Sequence, residues 1–188
     1  MHKGLFSFFS VFEAFGYFIR YSFFALPPNS LHCLVFNRFL KGKHLFEVFG
    51  YVEDFLDRYL LSTLNRKVLK EIDKAKKNNS YVVILSNAPN YLVEKIVKRL
   101  NVSSFKATSY GLDLNNRLSS IHKLMDGEAK ARYTLALAQS LNVPKKKIFV
   151  YTDSIWDLPL LNIAGKKVVV SPDRGLFKIA KQKDWKIL

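Results

Sequence analysis

Apolar residues in the first third of the chain recur at the three- and four-residue spacing of helices. This spacing predicts helices over residues 31–40 and 45–64, preceded by an aromatic helix over residues 4–26. The aromatic helix carries eight of the sixteen phenylalanines, and its polar residues form one narrow stripe: Ser10, Glu13, Tyr17 and Arg20. The pattern therefore predicts an N-terminal, all-helical cap over residues 1–75.

From residue 76 onward the pattern changes to short apolar runs that alternate with helices. The apolar runs predict strands over residues 81–85, 103–109, 148–152 and 167–171, and helices over 90–100, 128–141 and 175–183. The polar connection 111–124 can form a hairpin. Strands without polar alternation, separated by helices, are typical of a parallel sheet that is covered on both faces. We therefore predict an α/β, Rossmann-like core over residues 76–188.

Charge is distributed unevenly along the chain. The 188 residues carry a net charge of +15, of which residues 1–62 contribute +1 and residues 63–188 contribute +14. Residues 63–188 should therefore attract anions, whether phosphorylated molecules, anionic lipid or nucleic acid. No zinc-finger spacing, aromatic RNA-binding motif or basic-region heptad accompanies the charge, so we expect no specific nucleic-acid partner.

The aromatic segment 4–26 leaves two interpretations open, packing within a helical bundle or lying in a membrane interface. Glu13 and Arg20 interrupt it, so it lacks the ~20 uncharged residues of a simple membrane span. No small-residue cleavage site follows, which argues against a signal peptide. Cys33 is the only cysteine, so no intrachain disulfide forms and a reducing, cytoplasmic compartment fits, with peripheral membrane contact through residues 4–26 left open.

Two carboxylates follow the predicted strand 148–152. Asp153 and Asp157 lie in Tyr-Thr-Asp-Ser-Ile-Trp-Asp-Leu-Pro-Leu-Leu, where that strand gives way to a helix. Ligands of open α/β sheets bind at the carboxyl ends of the strands, and paired carboxylates suit a hard cation such as Mg²⁺. The alternative is that one carboxylate caps the helix and the other is solvated.

Two further groups precede helices of the predicted core. Ser86 and Asn87 end the strand 81–85 and lead through Pro89 into a helix, whose first amides can bind an anion. The alternative is that both side chains only cap that helix. Lys130, in Gly-Glu-Ala-Lys, lies in the first turns of the next helix, where a lysine can stabilise a phosphoryl group or be one more solvated lysine.

Together these motifs resemble the haloacid dehalogenase (HAD) superfamily, in particular its phosphoserine-phosphatase-like branch with a helical cap. Val-Val-Ile-Leu-Ser-Asn-Ala-Pro looks like the second motif of the family, Gly-Glu-Ala-Lys the third, and the segment from Tyr151 to Leu161 the fourth. The resemblance implies that Ser86, with Asn87, and the catalytic Lys130 bind phosphate. It also implies that Asp153 is a Mg²⁺ ligand and that Asp157 supports the metal site.

The first motif of the family, Asp-x-Asp-x-Thr, is not present in the chain. The resemblance places it on a central strand between those that end at Ser86 and Thr152, with its first Asp as nucleophile and its second as general acid and base. We therefore expect the chain to be N-terminally truncated, inactive as written and poorly stable. A second departure is Trp156, where the branch commonly has a polar residue.

The leading hypothesis is thus a Mg²⁺-dependent phosphatase that acts on phosphoric monoesters. Its expected partner is a phosphorylated small molecule or a phospholipid head group. Two alternatives stay open: a non-catalytic remnant that binds an anion or a metal, and a protein that acts at anionic membranes through residues 4–26.

Overall fold

Helices make up the first part of the computed structural model, which describes residues 28–102 and 104–188. α1 (Pro28–Val35) continues into a π-helical turn (Phe36–Leu40), and α2 (Leu45–Thr63) and α3 (Arg66–Lys77) follow. The side chain of Asn65 caps α3 by accepting a hydrogen bond from the Lys67 amide at 2.9 Å. The helices expected over residues 31–40 and 45–64 are thus present, whereas the aromatic helix 4–26 lies outside the described residues.

Two three-stranded sheets form the second part. In the first, β1 (Val83–Pro89) pairs in parallel with β2 (Ser104–Leu112), and β3 (Leu118–Lys123) runs antiparallel to β2 as the expected hairpin. Helix α4 (Asn90–Arg99) makes the crossover from β1 to β2. The pairing of β1 is irregular between Ser86 and Pro89. This irregularity lies at the end of the strand, among the predicted phosphate-binding residues.

The second sheet is entirely parallel, in the order β4, β5, β6. Its elements and the helix before them are α5 (Gly127–Ser140), β4 (Phe149–Thr152), α6 (Leu158–Ile163), β5 (Lys166–Val169), α7 (Arg174–Gln182) and β6 (Lys186–Ile187). Strand β6 was not expected from the sequence, because a two-residue strand has no detectable period. The core of this half contains Leu161, Val169 and Leu176, all fully buried.

The parallel α/β architecture is therefore confirmed, but the strands form two sheets rather than one. Within the described residues, β1 pairs only with β2 and β4 only with β5. The two sheets are nevertheless neighbours, because Leu85 of β1 packs against the cluster that contains Val150 of β4. Their facing edges lie where the resemblance expects a further strand.

The helical part packs against the first sheet. Phe36 and Val48 form one buried cluster with Tyr91 and Leu118, and an isolated bridge joins His44 to Arg117. The division into a cap over residues 1–75 and a core over 76–188 stays a prediction. No helix within residues 28–102 and 104–188 is long and apolar enough to cross a membrane.

Candidate functional site

A buried ion pair joins two of the residues predicted to act together. The Lys130 ammonium donates to both carboxylate oxygens of Asp157, at 2.7 and 3.0 Å. The two side chains are only 11% and 10% exposed. The Thr152 hydroxyl, at the end of β4, donates to Asp157 Oδ2 at 2.7 Å. Asp157 therefore holds Lys130 in place, a role that sequence spacing did not show.

The start of α5 explains how Lys130 reaches Asp157. The Asp126 carboxylate caps the helix by accepting a hydrogen bond from the Ala129 amide at 2.8 Å, and it accepts another from the Asn29 side chain at 2.9 Å. Burial raises the pKa of Asp126, but these hydrogen bonds outweigh burial and leave the pKa below its usual range. A Cβ at Gly127 would lie 2.0 Å from the Trp156 carbonyl oxygen. The missing side chain therefore lets α5 approach the turn that carries Asp157.

Asp153 has a different environment from Asp157. It is exposed, and its carboxylate makes no hydrogen bond or ion pair with any residue in the described part of the chain. Its backbone carbonyl accepts a hydrogen bond from the Asp173 amide at 2.8 Å. The backbone is thus fixed while the carboxylate stays open to a ligand.

Asp173 is a site residue that the sequence analysis missed. One of its carboxylate oxygens accepts from the Leu176 amide and caps α7, and the other accepts from the Ile155 amide at 2.7 Å. It therefore connects the loop after β5 to the loop that bears Asp153. The only signal in the sequence was an acidic residue just before a predicted helix, which indicates a cap and no more.

The irregular end of β1 brings Ser86 and Asn87 close to the start of α4. The Ser86 hydroxyl oxygen accepts a hydrogen bond from the Ala88 amide at 3.1 Å, which leaves its proton free to be donated. The side-chain oxygen of Asn87, Oδ1, accepts from the fully buried Thr108 hydroxyl at 3.1 Å. Thr108 Oγ1 in turn accepts from the Met125 amide at 3.1 Å. Thr108 thus links the end of β1 to the segment that begins α5.

A cavity of about 340 Å³ adjoins the end of β1. It is lined by Leu31, His32, Val35, Leu40, Asn87, Ala88, Pro89 and Tyr110. The His32 Nε2 and the Tyr110 hydroxyl lie 2.5 Å apart. Burial lowers the pKa of His32 and raises that of Tyr110, so both groups favour their neutral forms. The cavity wall is therefore mainly apolar, and its polar side chains, His32, Asn87 and Tyr110, are neutral.

The donor set decides which residues fit a metal ion. Asp153 offers an open carboxylate at the carboxyl end of a parallel strand, and carboxylate oxygens are ligands that Mg²⁺ prefers. The ion can complete its coordination shell with waters and phosphate oxygens. The Asp157 carboxylate already accepts three hydrogen bonds, two of them from a cation. The described residues contain no group of three or more His, Cys, Asp or Glu side chains that could hold a metal. Asp153 thus fits as one ligand.

Comparison with known proteins finds relatives in both sequence and structure. A probable phosphatase of Mycobacterium tuberculosis is 34% identical over 107 residues, which are 57% of this chain but only 37% of that protein. The structure of a probable phosphoserine phosphatase from Vibrio cholerae superposes with a TM-score of 0.71 at 16% identity, over 95% of this chain and 52% of that one. A Bordetella pertussis protein of unknown function superposes with a TM-score of 0.78 at 15% identity, over 92% and 79%.

The family model for haloacid dehalogenase-like hydrolases matches residues 32–162. This match covers most of the chain and includes Ser86, Lys130, Asp153 and Asp157. The superpositions extend the agreement in fold to the helical part. The chain belongs to the haloacid dehalogenase-like hydrolases, and its fold is that of their phosphoserine-phosphatase-like branch.

Proposed function

We propose that this chain supplies the phosphate-binding and Mg²⁺-binding part of a phosphomonoesterase site. The observation that carries the proposal is the buried Lys130–Asp157 pair, which lies next to the open carboxylate of Asp153. An ion pair that only stabilised the fold would need no unpaired carboxylate, such as that of Asp153, beside it. A site for a phosphate dianion needs a fixed cation and a place for a second one.

Three groups would bind the phosphate. The Ser86 hydroxyl donates its free proton to a phosphate oxygen, and the side-chain amide of Asn87 donates nearby, its orientation fixed by Thr108. Lys130 has a third ammonium proton beyond the two that contact Asp157. Because the pair is buried, this charge acts on the phosphate with little screening by solvent.

Asp153 would hold Mg²⁺ through its carboxylate, and Asp157 would support the same site by fixing Lys130. The metal, when bound, would neutralise negative charge on the phosphoryl oxygens. We assign no nucleophile among the described residues. The expectations that the chain is truncated, and that the 188 residues alone hydrolyse no phosphomonoester, stay predictions.

The substrate would be a phosphorylated small molecule whose organic part enters the cavity beside Asn87. The mainly apolar wall and the neutral His32–Tyr110 pair favour a group without net charge at that end. A phospholipid head group stays an alternative substrate class. Cytoplasmic location and membrane contact through residues 4–26 likewise stay predictions.

The test is calorimetric titration of the full chain with inorganic phosphate, in the presence and absence of Mg²⁺. We expect binding that Mg²⁺ strengthens. Ser86→Ala should weaken phosphate binding about tenfold or more, the effect of one hydrogen bond to a charged group. Asp153→Asn should abolish the effect of Mg²⁺ without weakening the Mg²⁺-free affinity, because it removes a negative charge that repels the phosphate.

Lys130 is tested by a variant that leaves no unpaired buried charge. The double change Lys130→Met/Asp157→Asn should abolish measurable phosphate binding, and Lys178→Met on the exposed face of α7 is the matched control. Equal phosphate affinity in the wild type, Ser86→Ala and the double variant would contradict the proposal. Hydrolysis of p-nitrophenyl phosphate by the same samples tests separately whether these residues suffice for turnover.

A further inference from the structure

Five lysines gather at the amino ends of β4 and β5, and we call this group the basic edge. Lys145, Lys146 and Lys147 form a 3-10 turn just before β4, and Lys166 and Lys167 begin β5. The two strands are parallel and Phe149 pairs with Lys166, so both lysine groups lie at the same edge of the sheet. The sequence places these groups nearly twenty residues apart, and only the fold brings them together.

Close backbone packing fixes the two groups against each other. A Cβ at Gly165 would lie 2.4 Å from the Lys145 carbonyl oxygen and 2.5 Å from the Lys146 Cα. The Gly165 amide also donates to the Ile148 carbonyl at 3.0 Å. Only glycine permits this approach without displacement of the turn. The basic edge is therefore a fixed surface rather than a set of independent flexible residues.

The charge of the basic edge is not neutralised within the described part of the chain. None of its five lysines forms an ion pair there, and all except Lys167 are exposed. Lys167 donates to the Ala164 carbonyl, which leaves its charge in place. Lys186, at the start of β6, has only a distant partner, Glu71 at 3.9 Å. The edge thus holds a large positive potential.

The basic edge does not belong to the candidate phosphate site. Asp153 follows the carboxyl end of β4, whereas the lysines precede its amino end. Asp153 lies four positions after Phe149 in the chain, which corresponds to about 13 Å along a strand. A phosphate group at Ser86 and Asp153 would therefore leave the edge free, and the edge would bind a different anionic partner.

Exposed apolar side chains accompany the lysines. Phe149 is 53% exposed and Leu141, just before the lysine turn, is 44% exposed. The Lys166 ammonium lies 5.2 Å from the centre of the Phe149 ring. Lysines mixed with exposed apolar side chains suit a lipid bilayer, where the rings enter the interface and the ammonium groups remain among the head groups.

We propose that the basic edge binds the surface of an anionic lipid bilayer. Clusters of four to eight basic residues next to apolar side chains are typical of surfaces that bind anionic lipids. Two observations argue against nucleic acid. The edge contains no arginine for bidentate contacts, and the Lys166 ammonium covers the Phe149 ring face that a base would need for stacking.

The test is co-sedimentation of the full chain with two kinds of vesicle, phosphatidylcholine alone and phosphatidylcholine mixed with phosphatidylglycerol. We expect binding only to the mixed vesicles, and release as the salt concentration rises. The variant Lys145→Glu/Lys146→Glu/Lys147→Glu should bind them more than about 100-fold more weakly, since each lysine near an anionic surface contributes about fivefold and each glutamate adds repulsion.

The matched control is Lys41→Glu/Lys43→Glu/Lys123→Glu, which changes the net charge equally but lies beside the first sheet. Its affinity for the mixed vesicles should fall by less than about tenfold, because its lysines lie away from the proposed contact. If Lys→Glu changes at the edge impair folding, as judged by circular dichroism, the Lys→Gln triple variant replaces them, and its affinity for the mixed vesicles should fall about 100-fold.

Several results would overturn the proposal. An equal loss of vesicle affinity in the edge and control variants would mean that only the net charge of the protein determines binding. Full binding by the edge variant would place the contact elsewhere in the chain, and no binding by the wild type would exclude lipid. Tighter binding of single-stranded RNA than of mixed vesicles, lost in the same edge variant, would identify nucleic acid as the partner.

Discussion

At the scale of single residues, the Asp157 carboxylate shows how one side chain can determine the function of another. Lys130 is buried, and a buried ammonium is tolerated only because Asp157 lies within hydrogen-bonding distance. The Thr152 hydroxyl supplies a third hydrogen bond to the same carboxylate. Removing either charge therefore has consequences that depend on whether the other remains.

The change Lys130→Met should lower the free energy of unfolding by about 3–5 kcal/mol, because it leaves the Asp157 charge buried and unpaired. The double change Lys130→Met/Asp157→Asn should cost much less, since neither charge remains. Urea unfolding of the wild type and both variants measures the difference. Equal losses in the single and double variants would show that packing, and not charge, dominates at this position.

Sequence reasoning identified the residue types of the candidate site better than their partners. Ser86, Lys130 and Asp153 follow motifs of fixed spacing. The hydroxyl groups of Thr108 and Thr152 are seen only in the structure, since a threonine in a strand shows no sign of what its hydroxyl contacts. Asp173 was missed for the same reason, because the Ile155 amide that it accepts from lies eighteen residues away.

At the scale of elements, two glycines in helices have opposite roles. Gly127 begins α5 and faces the Trp156 carbonyl, with Pro159 Cδ also 3.3 Å from where its Cβ would be. Gly50 lies within α2, and a Cβ there would meet nothing within 4 Å. The first position thus sets the distance between two elements, whereas the second has no such constraint.

The change Gly127→Ala should lower the free energy of unfolding by about 1–3 kcal/mol, the usual cost of overpacking. It should also weaken phosphate binding, because α5 must move and carry Lys130 away from Asp157. Gly50→Ala should instead stabilise the protein by about 0.5–1 kcal/mol, through helix propensity and a less flexible unfolded chain. Thermal unfolding and phosphate titration of both variants provide the measurement, and similar behaviour of the two glycines would contradict this account.

Helices and strands were predictable where the hydrophobic period is long and regular. Helices α2 and α4 agree with the sequence analysis to within two residues, because each has several turns with one apolar face. Which strands pair with each other was harder to predict from the sequence. The separation into two sheets depends on which edges meet, and an apolar strand such as β1 shows the same composition whether one or both of its edges are paired.

At the scale of the whole molecule, charged contacts join the helical part to the α/β part. Glu53 of α2 accepts hydrogen bonds from Lys95 and Arg99, both on α4. Arg99 also donates to Asp57 at 2.6 Å, so one guanidinium binds two carboxylates of the same helix. This network adds to the apolar cluster around Tyr91 and fixes the orientation of α2 on the core.

The same network predicts how the attachment responds to pH. The hydrogen bond from Lys95, followed by that from Arg99, holds the pKa of the Glu53 carboxyl below its usual range. A carboxyl whose pKa is lower in the folded state stabilises that state above its unfolded pKa, and this contribution disappears as the pH falls through the folded value. The contact between α2 and α4 should therefore weaken only in acid.

Carboxyl-carbon NMR titration of the full chain measures this directly. Glu53 should titrate below the usual glutamate range in the wild type and within that range in Lys95→Gln/Arg99→Gln. The difference in free energy of unfolding between the wild type and Glu53→Gln should shrink as the pH falls and vanish once Glu53 is protonated. An unchanged Glu53 titration in the double variant would show that the ion pairs do not set its pKa, and that apolar packing alone attaches α2 to the core.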